Sequence, residues 1–282
     1  MPEGPEIRRA ADRIAAVLEG SMAERVRFGL PALKRHEKRL TGHTVDSVTT
    51  RGKAILTRFD NDLTIYSHNQ LYGRWYTMKR PRMPKTARQL RLEIQTGTHS
   101  ALLYSASDIE VLTDRQLEHH PFLSRLGPDL LDTDLTAALI ADRLREPAFR
   151  NRALGSLYLD QGFLAGNGNY LRSEILWIAG LNPTLKPAAL SDAQIDKLAK
   201  ETLRTVRRSY RTRGVTVAPA LAKTLKESGL SYQRYRFYVF GREGLDCHRC
   251  GATIERNTMG SRNVFVCPGC QLSSANSRAP RG

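Results

Sequence analysis

Two motifs near the end of the chain indicate its fold most clearly. They are Cys247-His248-Arg249-Cys250 and Cys267-Pro268-Gly269-Cys270, with 16 residues between the pairs. These four cysteines are the only ones in the chain. Each Cys-x2-Cys pair can offer two thiolates to one side of a tetrahedral ion, so the spacing predicts a structural Zn²⁺ site. Two disulfides are the alternative, which a reducing compartment disfavours. The intervening residues are expected to form a hairpin that presents Arg256 and Arg262.

The chain upstream of this finger divides into two patterns. Apolar residues at helical spacing follow Pro5 and stop at Gly20, and short aliphatic runs of partly alternating character then continue to about residue 110. This pattern predicts an N-terminal helix followed by an antiparallel β-sandwich. Beyond Gly127-Pro128 the spacing becomes helical. The predicted class is therefore multidomain α+β, with a sandwich, a helical part and a zinc-finger hairpin.

The predicted domains are residues 1–127, 128–234 and 235–273, with a disordered tail at 274–282. Within the helical part, Ser191 and Gln194 form a capping-box signature that starts a long helix. A shorter helix is expected at about Leu221–Glu227, where Gly229 would end it.

The charge balance is strongly basic, because 44 Lys and Arg against 28 Asp and Glu give a formal charge of +16. Such an excess favours a polyanionic partner, either nucleic acid or an anionic membrane surface. The basic residues are spread along the chain rather than confined to one amphipathic helix, which favours nucleic acid. We expect no membrane span. The opening residues lack the pattern of a signal peptide, so we expect a cytoplasmic, nucleoid-associated protein.

Four separated motifs stand in a recognisable order. They are Met1-Pro2-Glu3-Gly4-Pro5-Glu6-Ile7-Arg8-Arg9, Thr50-Arg51-Gly52-Lys53, Gly166-Asn167-Gly168-Asn169-Tyr170-Leu171-Arg172 and Cys267-Pro268-Gly269-Cys270-Gln271. Together they resemble the formamidopyrimidine-DNA glycosylase and endonuclease VIII family. The blocks His68–Gly73 and Leu103–Asp108 resemble the endonuclease VIII branch. The resemblance implies a helix-two-turns-helix domain and a monomer that binds damaged, duplex DNA. It also implies excision of oxidised pyrimidines such as thymine glycol, followed by strand cleavage through β,δ-elimination.

The same resemblance implies that Pro2 is the nucleophile once Met1 is removed. An α-amino group titrates near ~8, against ~10.4 for lysine, so a useful fraction of this amine is neutral and nucleophilic. By resemblance, Glu3 is the general acid and base, Lys53 a proton donor near C1′ or a phosphate, and Arg262 the arginine of δ-elimination. Glu3 could instead only favour the dipole of the first helix, and Lys53 could simply be solvated.

Further residues are expected to contact DNA. Asn169 and Arg125 resemble the family's phosphate contacts. Gln70, Leu71 and Tyr72 combine an amide, an apolar wedge and an aromatic plate on one loop, which suits insertion into a base stack. Local packing at a strand edge is the alternative for Tyr72.

Two departures from the family pattern bear on lesion specificity. Asn167 stands where an apolar residue is usual, and the stretch before the finger is longer than is typical. Two other functions stay open at this point. One is excision of oxidised purines such as 8-oxoguanine and formamidopyrimidine. The other is a non-catalytic zinc-finger protein that binds damaged DNA, which retention of Met1 would favour because the Pro2 nitrogen would then be an amide and not a nucleophilic amine.

Overall fold

The structure, a computed structural model, describes residues 2–271. It forms two compact units, of which the first ends at Leu126 and the second begins at Gly127. The tail predicted at 274–282 lies outside the described residues. Every helix among residues 2–271 is too short or too polar to cross a lipid bilayer.

The first unit is a helix packed on two antiparallel sheets. Its elements, in chain order, are α1 (Gly4–Leu18), β1 (Arg25–Phe28), α2 (Glu37–Leu40), β2 (Val45–Arg51), β3 (Ala54–Phe59), β4 (Leu63–His68), β5 (Arg74–Lys79), β6 (Leu90–Gln95), β7 (His99–Tyr104), β8 (Asp108–Thr113) and α3 (Asp114–Glu118). One sheet has the order β1-β6-β7-β5 and the other β2-β3-β4-β8. The predicted helix and sandwich are thus present.

The core of the first unit lies between these sheets. The apolar face of α1, with Ile7, Ile14 and Leu18, is buried in one cluster with side chains from both sheets. This packing follows from the helical spacing of the apolar residues in α1. It also holds the first turn of the helix, and with it Pro2 and Glu3, against the sandwich.

The second unit contains the helical part and the finger. Its elements are α4 (Ala137–Arg145), α5 (Leu154–Leu157), α6 (Asn169–Ala179), α7 (Asp192–Arg211), α8 (Pro219–Glu227), α9 (Tyr232–Tyr235), β9 (Glu255–Met259) and β10 (Arg262–Val266). The predicted capping box of α7 is confirmed, since Ser191 N–H donates to Gln194 at 2.9 Å and Gln194 N–H donates to Ser191 Oγ at 3.3 Å. The predicted helix near 221–227 is also present as α8.

The finger is packed against the helical part through a shared apolar cluster. Trp177 of α6 stacks on Tyr238 with ring centroids 4.1 Å apart, and Cys247 and Phe265 belong to the same cluster. The β9–β10 hairpin therefore rests on α6 rather than standing alone in solvent.

Candidate active site and metal centre

The two residues predicted to perform the chemistry, Pro2 and Glu3, lie immediately before α1. Glu3 is the N-cap of α1 and is buried, with 3% of its surface exposed. Its backbone N–H donates to the Glu6 carboxylate at 3.1 Å, as part of a capping box. The N-cap position of Glu3 is compatible with the alternative role, in which its carboxylate favours the dipole of α1. Capping keeps this carboxyl group next to Pro2, so it does not compete with a catalytic role.

Pro2 lines a cavity of about 510 Å³ in the first unit. The walls of this cavity come from α1, from the start of β5 and from the turn that joins β4 to β5. Leu71 and Tyr72 belong to that turn and line the same cavity. The structure thus brings the predicted nucleophile and two of the three predicted insertion residues to one place.

The turn Asn69–Gly73, which we call the wedge turn, is tightly built. Gly73 N–H donates to the Asn69 carbonyl oxygen at 2.7 Å, and Gln70 has a positive φ of 49°. Leu71 and Tyr72 point away from the sandwich, with 51% and 67% of their surfaces exposed. So much exposure leaves little of the Tyr72 ring packed at a strand edge.

Three contacts hold the wedge turn from outside. Gln70 N–H donates to His68 Nδ1 at 3.2 Å, and the Ser107 hydroxyl donates to Gln70 Oε1 at 3.0 Å. The Arg88 guanidinium donates to the Tyr72 carbonyl oxygen at 2.5 Å. The turn is therefore held in shape in the free protein, which lowers the entropy cost of presenting its side chains to a ligand.

Lys53 lies on the tight turn between β2 and β3. Gly52 has a positive φ of 61°, as such a turn requires, and Arg51 pairs with Ala54 across it. Lys53 is half-buried and close enough to His68 to act on it electrostatically. Burial lowers the pKa of His68, Asp108 opposes this effect from 3.8 Å, and the positive charge of Lys53 lowers the pKa further.

His68 belongs to a second group of titratable residues that the sequence did not single out. A cavity of about 270 Å³ is lined by Tyr66, His68, Asp108, Glu110, His120, Pro121, Phe122 and Arg125. The predicted phosphate contact Arg125 thus lies here, where its Nε donates to the Pro121 carbonyl oxygen at 2.6 Å, and does not line the Pro2 cavity. His68 begins one of the two sequence blocks that resemble endonuclease VIII, and Asp108 ends the other. Membership in these blocks was the sequence feature that could have identified the two residues.

In the second unit, Arg172 organises the predicted residue Asn169. Arg172 is completely buried and donates to Asn169 Oδ1 at 2.6 Å, to the Asn263 carbonyl at 2.7 Å and to the Gly155 carbonyl at 3.0 Å. Asn263 directly follows Arg262, which is exposed at the start of β10. One side chain therefore fixes both the amide of Asn169 and the hairpin strand that bears Arg262. The sequence motif contained Arg172, but no pattern indicated this role.

The departure at Asn167 has a structural explanation. Its side chain is fully buried, and its amide nitrogen donates to the Tyr158 carbonyl oxygen at 2.6 Å. The polar residue thus ties the turn before α6 to the segment after α5.

The four cysteines form a candidate metal centre. They form no disulfide bond, and their sulfur atoms lie within 4.8 Å of one another. The Sγ–Sγ distances of 3.4, 3.5 and 3.8 Å approach the edge of about 3.8 Å expected for a tetrahedron with metal–sulfur distances of about 2.3 Å. They are too long for disulfides, whose sulfurs are about 2.05 Å apart.

Family models cover most of the chain. The formamidopyrimidine-DNA glycosylase N-terminal domain matches residues 1–106, the formamidopyrimidine-DNA glycosylase H2TH domain matches 126–219, and the zinc finger found in FPG and IleRS matches 244–272. The chain belongs to the formamidopyrimidine-DNA glycosylase and endonuclease VIII family. The predicted fold class and the predicted resemblance are both confirmed.

Individual proteins that resemble this chain narrow its place within the family. Endonuclease 8 of Escherichia coli O1:K1 / APEC is 51% identical over 271 residues, which are 96% of this chain and 100% of the relative. Endonuclease 8 of E. coli strain K12 / DH10B gives the same identity and coverage. Among solved structures, MutM in complex with DNA containing carbocyclic 8-oxo-G superposes with a TM-score of 0.79 at 20% identity, covering 96% of this chain and 100% of that one. Lactococcus lactis Fpg bound to abasic-site DNA gives 0.78 at 19%, with the same coverage.

Proposed function

We infer that this chain is a bifunctional DNA glycosylase and AP lyase that removes oxidised pyrimidines from DNA in base excision repair. The identity of 51% to Endonuclease 8 over nearly the full length supports the activity. The observation that carries the mechanism is the cavity shared by Pro2, Leu71 and Tyr72. An amine nucleophile beside an exposed apolar wedge is what chemistry on an extruded nucleotide needs. The basic charge of +16 suits a DNA partner.

The reaction begins when the Pro2 nitrogen, freed by removal of Met1, attacks the sugar C1′. The C1′–N bond to the damaged base breaks, and the base leaves with the bonding pair and takes up the proton that the Pro2 nitrogen gives up. The sugar ring opens at its oxygen, and a C1′ iminium with Pro2 remains. Glu3 lies beside this nitrogen and supplies the proton to the ring oxygen. Loss of the C2′ proton then expels the 3′ phosphate in β-elimination. A second elimination expels the 5′ phosphate, and hydrolysis of the iminium releases Pro2.

The other predicted residues take roles suited to their positions. Lys53, on the turn between β2 and β3, donates a proton or a hydrogen bond near C1′ or an adjacent phosphate. Asn169 contacts a phosphate with the amide nitrogen that Arg172 leaves free, and Arg125 provides a further phosphate contact. Arg262 assists δ-elimination from the hairpin. Gln70, Leu71 and Tyr72 fill the space that the extruded nucleotide leaves.

The ion held by Cys247, Cys250, Cys267 and Cys270 is proposed to be Zn²⁺. Four thiolates leave no open position for water, so the ion supplies structure rather than reaction chemistry. It would stiffen the hairpin that carries Arg262. We place the enzyme in the cytoplasm at the nucleoid, where thiolates stay reduced and DNA is present.

Borohydride trapping tests this function. Duplexes carrying one thymine glycol, one 8-oxoguanine or one abasic site are incubated with the enzyme and borohydride, with Pro2→Gly as the control. We expect a covalent complex chiefly with thymine glycol and with the abasic site, and much less with Pro2→Gly, whose terminal amine is primary and lacks the ring of proline. A complex chiefly with 8-oxoguanine would assign the chain to oxidised purines. No complex even at the abasic site would leave only DNA binding.

A further inference from the structure

The cavity beside Pro2 carries more positive charge than the proposed chemistry uses. Three arginines line it: Arg13 on α1, Arg74 on β5 and Arg88 in the connection before β6. Its acidic lining residue, Glu6, already pairs with Arg9 at 3.2 Å and accepts from the Glu3 backbone at 3.1 Å. Within residues 2–271, neither Arg74 nor Arg88 forms an ion pair with a carboxylate. Their charges are therefore left for a ligand to neutralise.

Both arginines are held beside the wedge turn. Arg74 directly follows Gly73, and its guanidinium carbon lies 5.0 Å from the centre of the Tyr76 ring. The Tyr76 ring packs edge-on against the Tyr104 ring, with their centroids 5.6 Å apart, so the ring beneath Arg74 is held in place. Arg88 donates one N–H group to the Tyr72 carbonyl oxygen, and the other N–H groups of its guanidinium can still donate to a ligand. The two cations thus flank the exposed Leu71 and Tyr72.

The guanidinium groups of Arg74 and Arg88 are better suited to bind an anion than an uncharged base. A guanidinium presents a planar fork of donors that matches two phosphate oxygens and keeps its charge at every physiological pH. An extruded base would accept hydrogen bonds but would leave the positive charges uncompensated. A loop that enters a base stack also brings the residues on its flanks up to the sugar–phosphate backbone. Exposed aromatic and apolar side chains next to arginines are typical of surfaces that bind nucleic acid.

We propose that Arg74 and Arg88, with Arg13 on the facing helix, form a phosphate-binding subsite for the DNA backbone next to the extruded nucleotide. The proposal rests on the proposed function, because it needs Leu71 and Tyr72 to enter the DNA. It adds a set of backbone contacts whose strength does not depend on which lesion is present.

The test measures salt dependence with the full-length protein. The probe is a duplex with one tetrahydrofuran residue, an abasic analogue that has no base and cannot form the iminium. Its Kd is measured over a series of KCl concentrations for the wild type, Arg74→Gln and Arg88→Gln. Arg8→Gln is the matched control, since Arg8 is an exposed arginine of α1 that pairs with Asp12 at 3.0 Å and does not line the cavity. Thermal unfolding verifies that each variant is folded.

Each lost phosphate contact should flatten the plot of log affinity against log salt by about 0.9. We expect this change in Arg74→Gln and Arg88→Gln, several-fold weaker binding at moderate salt, and a wild-type slope in Arg8→Gln. Because Arg88→Gln also removes the contact to Tyr72, Arg74→Gln decides the question. A wild-type slope in Arg74→Gln overturns the proposal. So does a defect of Arg74→Gln that appears only on substrates carrying a base, which would indicate base recognition. Failure of the proposed function is a separate result, namely no borohydride trapping by the wild type.

Discussion

At the scale of single residues, Arg172 shows how one buried charge can serve a surface site. Its guanidinium satisfies the Gly155 and Asn263 carbonyls and the Asn169 amide oxygen, and none of it is exposed. We expect Arg172→Met to lower the free energy of unfolding by about 1–3 kcal/mol, because buried acceptors lose their donor. Without Arg172, Asn169 and the strand that bears Arg262 would lose the contacts that position them for DNA. Affinity for the tetrahydrofuran duplex should therefore fall by more than about tenfold, which corresponds to a loss of about 1.4 kcal/mol of binding free energy.

Denaturant unfolding and duplex binding check this expectation together. Arg204→Met is the matched control, because Arg204 lies on α7 with 67% of its side chain exposed and pairs with Glu201. Wild-type affinity in Arg172→Met would show that Asn169 and the hairpin do not need this anchor.

At the scale of elements, the wedge turn depends on a glycine. A Cβ at Gly73 would lie 2.6 Å from the Asn69 carbonyl oxygen and 2.7 Å from the Asn69 Cα, and backbone atoms cannot swing aside. Gly73→Ala should therefore open the turn and displace Leu71 and Tyr72. We expect excision of thymine glycol to slow by at least about tenfold, because base extrusion costs a few kcal/mol that the wedge offsets. Cleavage of a preformed abasic site should suffer less.

The two rates are compared in single-turnover assays. Gly97→Ala is the control, since its Cβ would meet only the end of the flexible Glu24 side chain at 3.3 Å. Equal losses on both substrates would argue against a wedge role for this turn.

We expect the β9–β10 hairpin to be the element that depends on a metal. A five-residue pairing joins its strands and apolar contacts hold it on α6, and four metal-bound thiolates would supply the rest of its order. We expect one zinc per chain by elemental analysis, and removal by a strong chelator should abolish detectable duplex binding. Re-addition of Zn²⁺ should restore it. Full binding by the metal-free protein would mean that the apolar contacts with α6 suffice.

At the scale of the whole molecule, the dominant property is the formal charge of +16. A protein that neutralises 6 to 10 phosphates loses roughly 10³–10⁵-fold in affinity between about 50 and 200 mM salt. We expect a loss in this range for an undamaged duplex, measured by fluorescence anisotropy. A loss below about tenfold would mean that most of the basic residues only solvate the surface.

The sequence by itself determined the class of molecule and supplied the candidates for its reactive groups. Each Cys-x2-Cys pair, each capping box and an N-terminal proline are local features, because within each of them the atoms that act together lie within a few residues. The charge of +16 likewise needs no structure. The aliphatic runs of the sequence indicated a sandwich but not its full set of strands. The short, mixed sequences of β1, β5 and β8 become strands by pairing with neighbours already in the sheets.

Only the tertiary structure decided which distant residues meet. Pro2 shares a cavity with residues about 70 positions away. The charge of Lys53 lowers the pKa of His68 on the neighbouring strand, and Arg172 donates to the Asn263 carbonyl on the hairpin. Such pairs depend on strand register and on helix packing, which are global outcomes of burying one common core. A sequence pattern names the side chains that can perform chemistry. Packing decides which of them are buried, oriented and charged in one place.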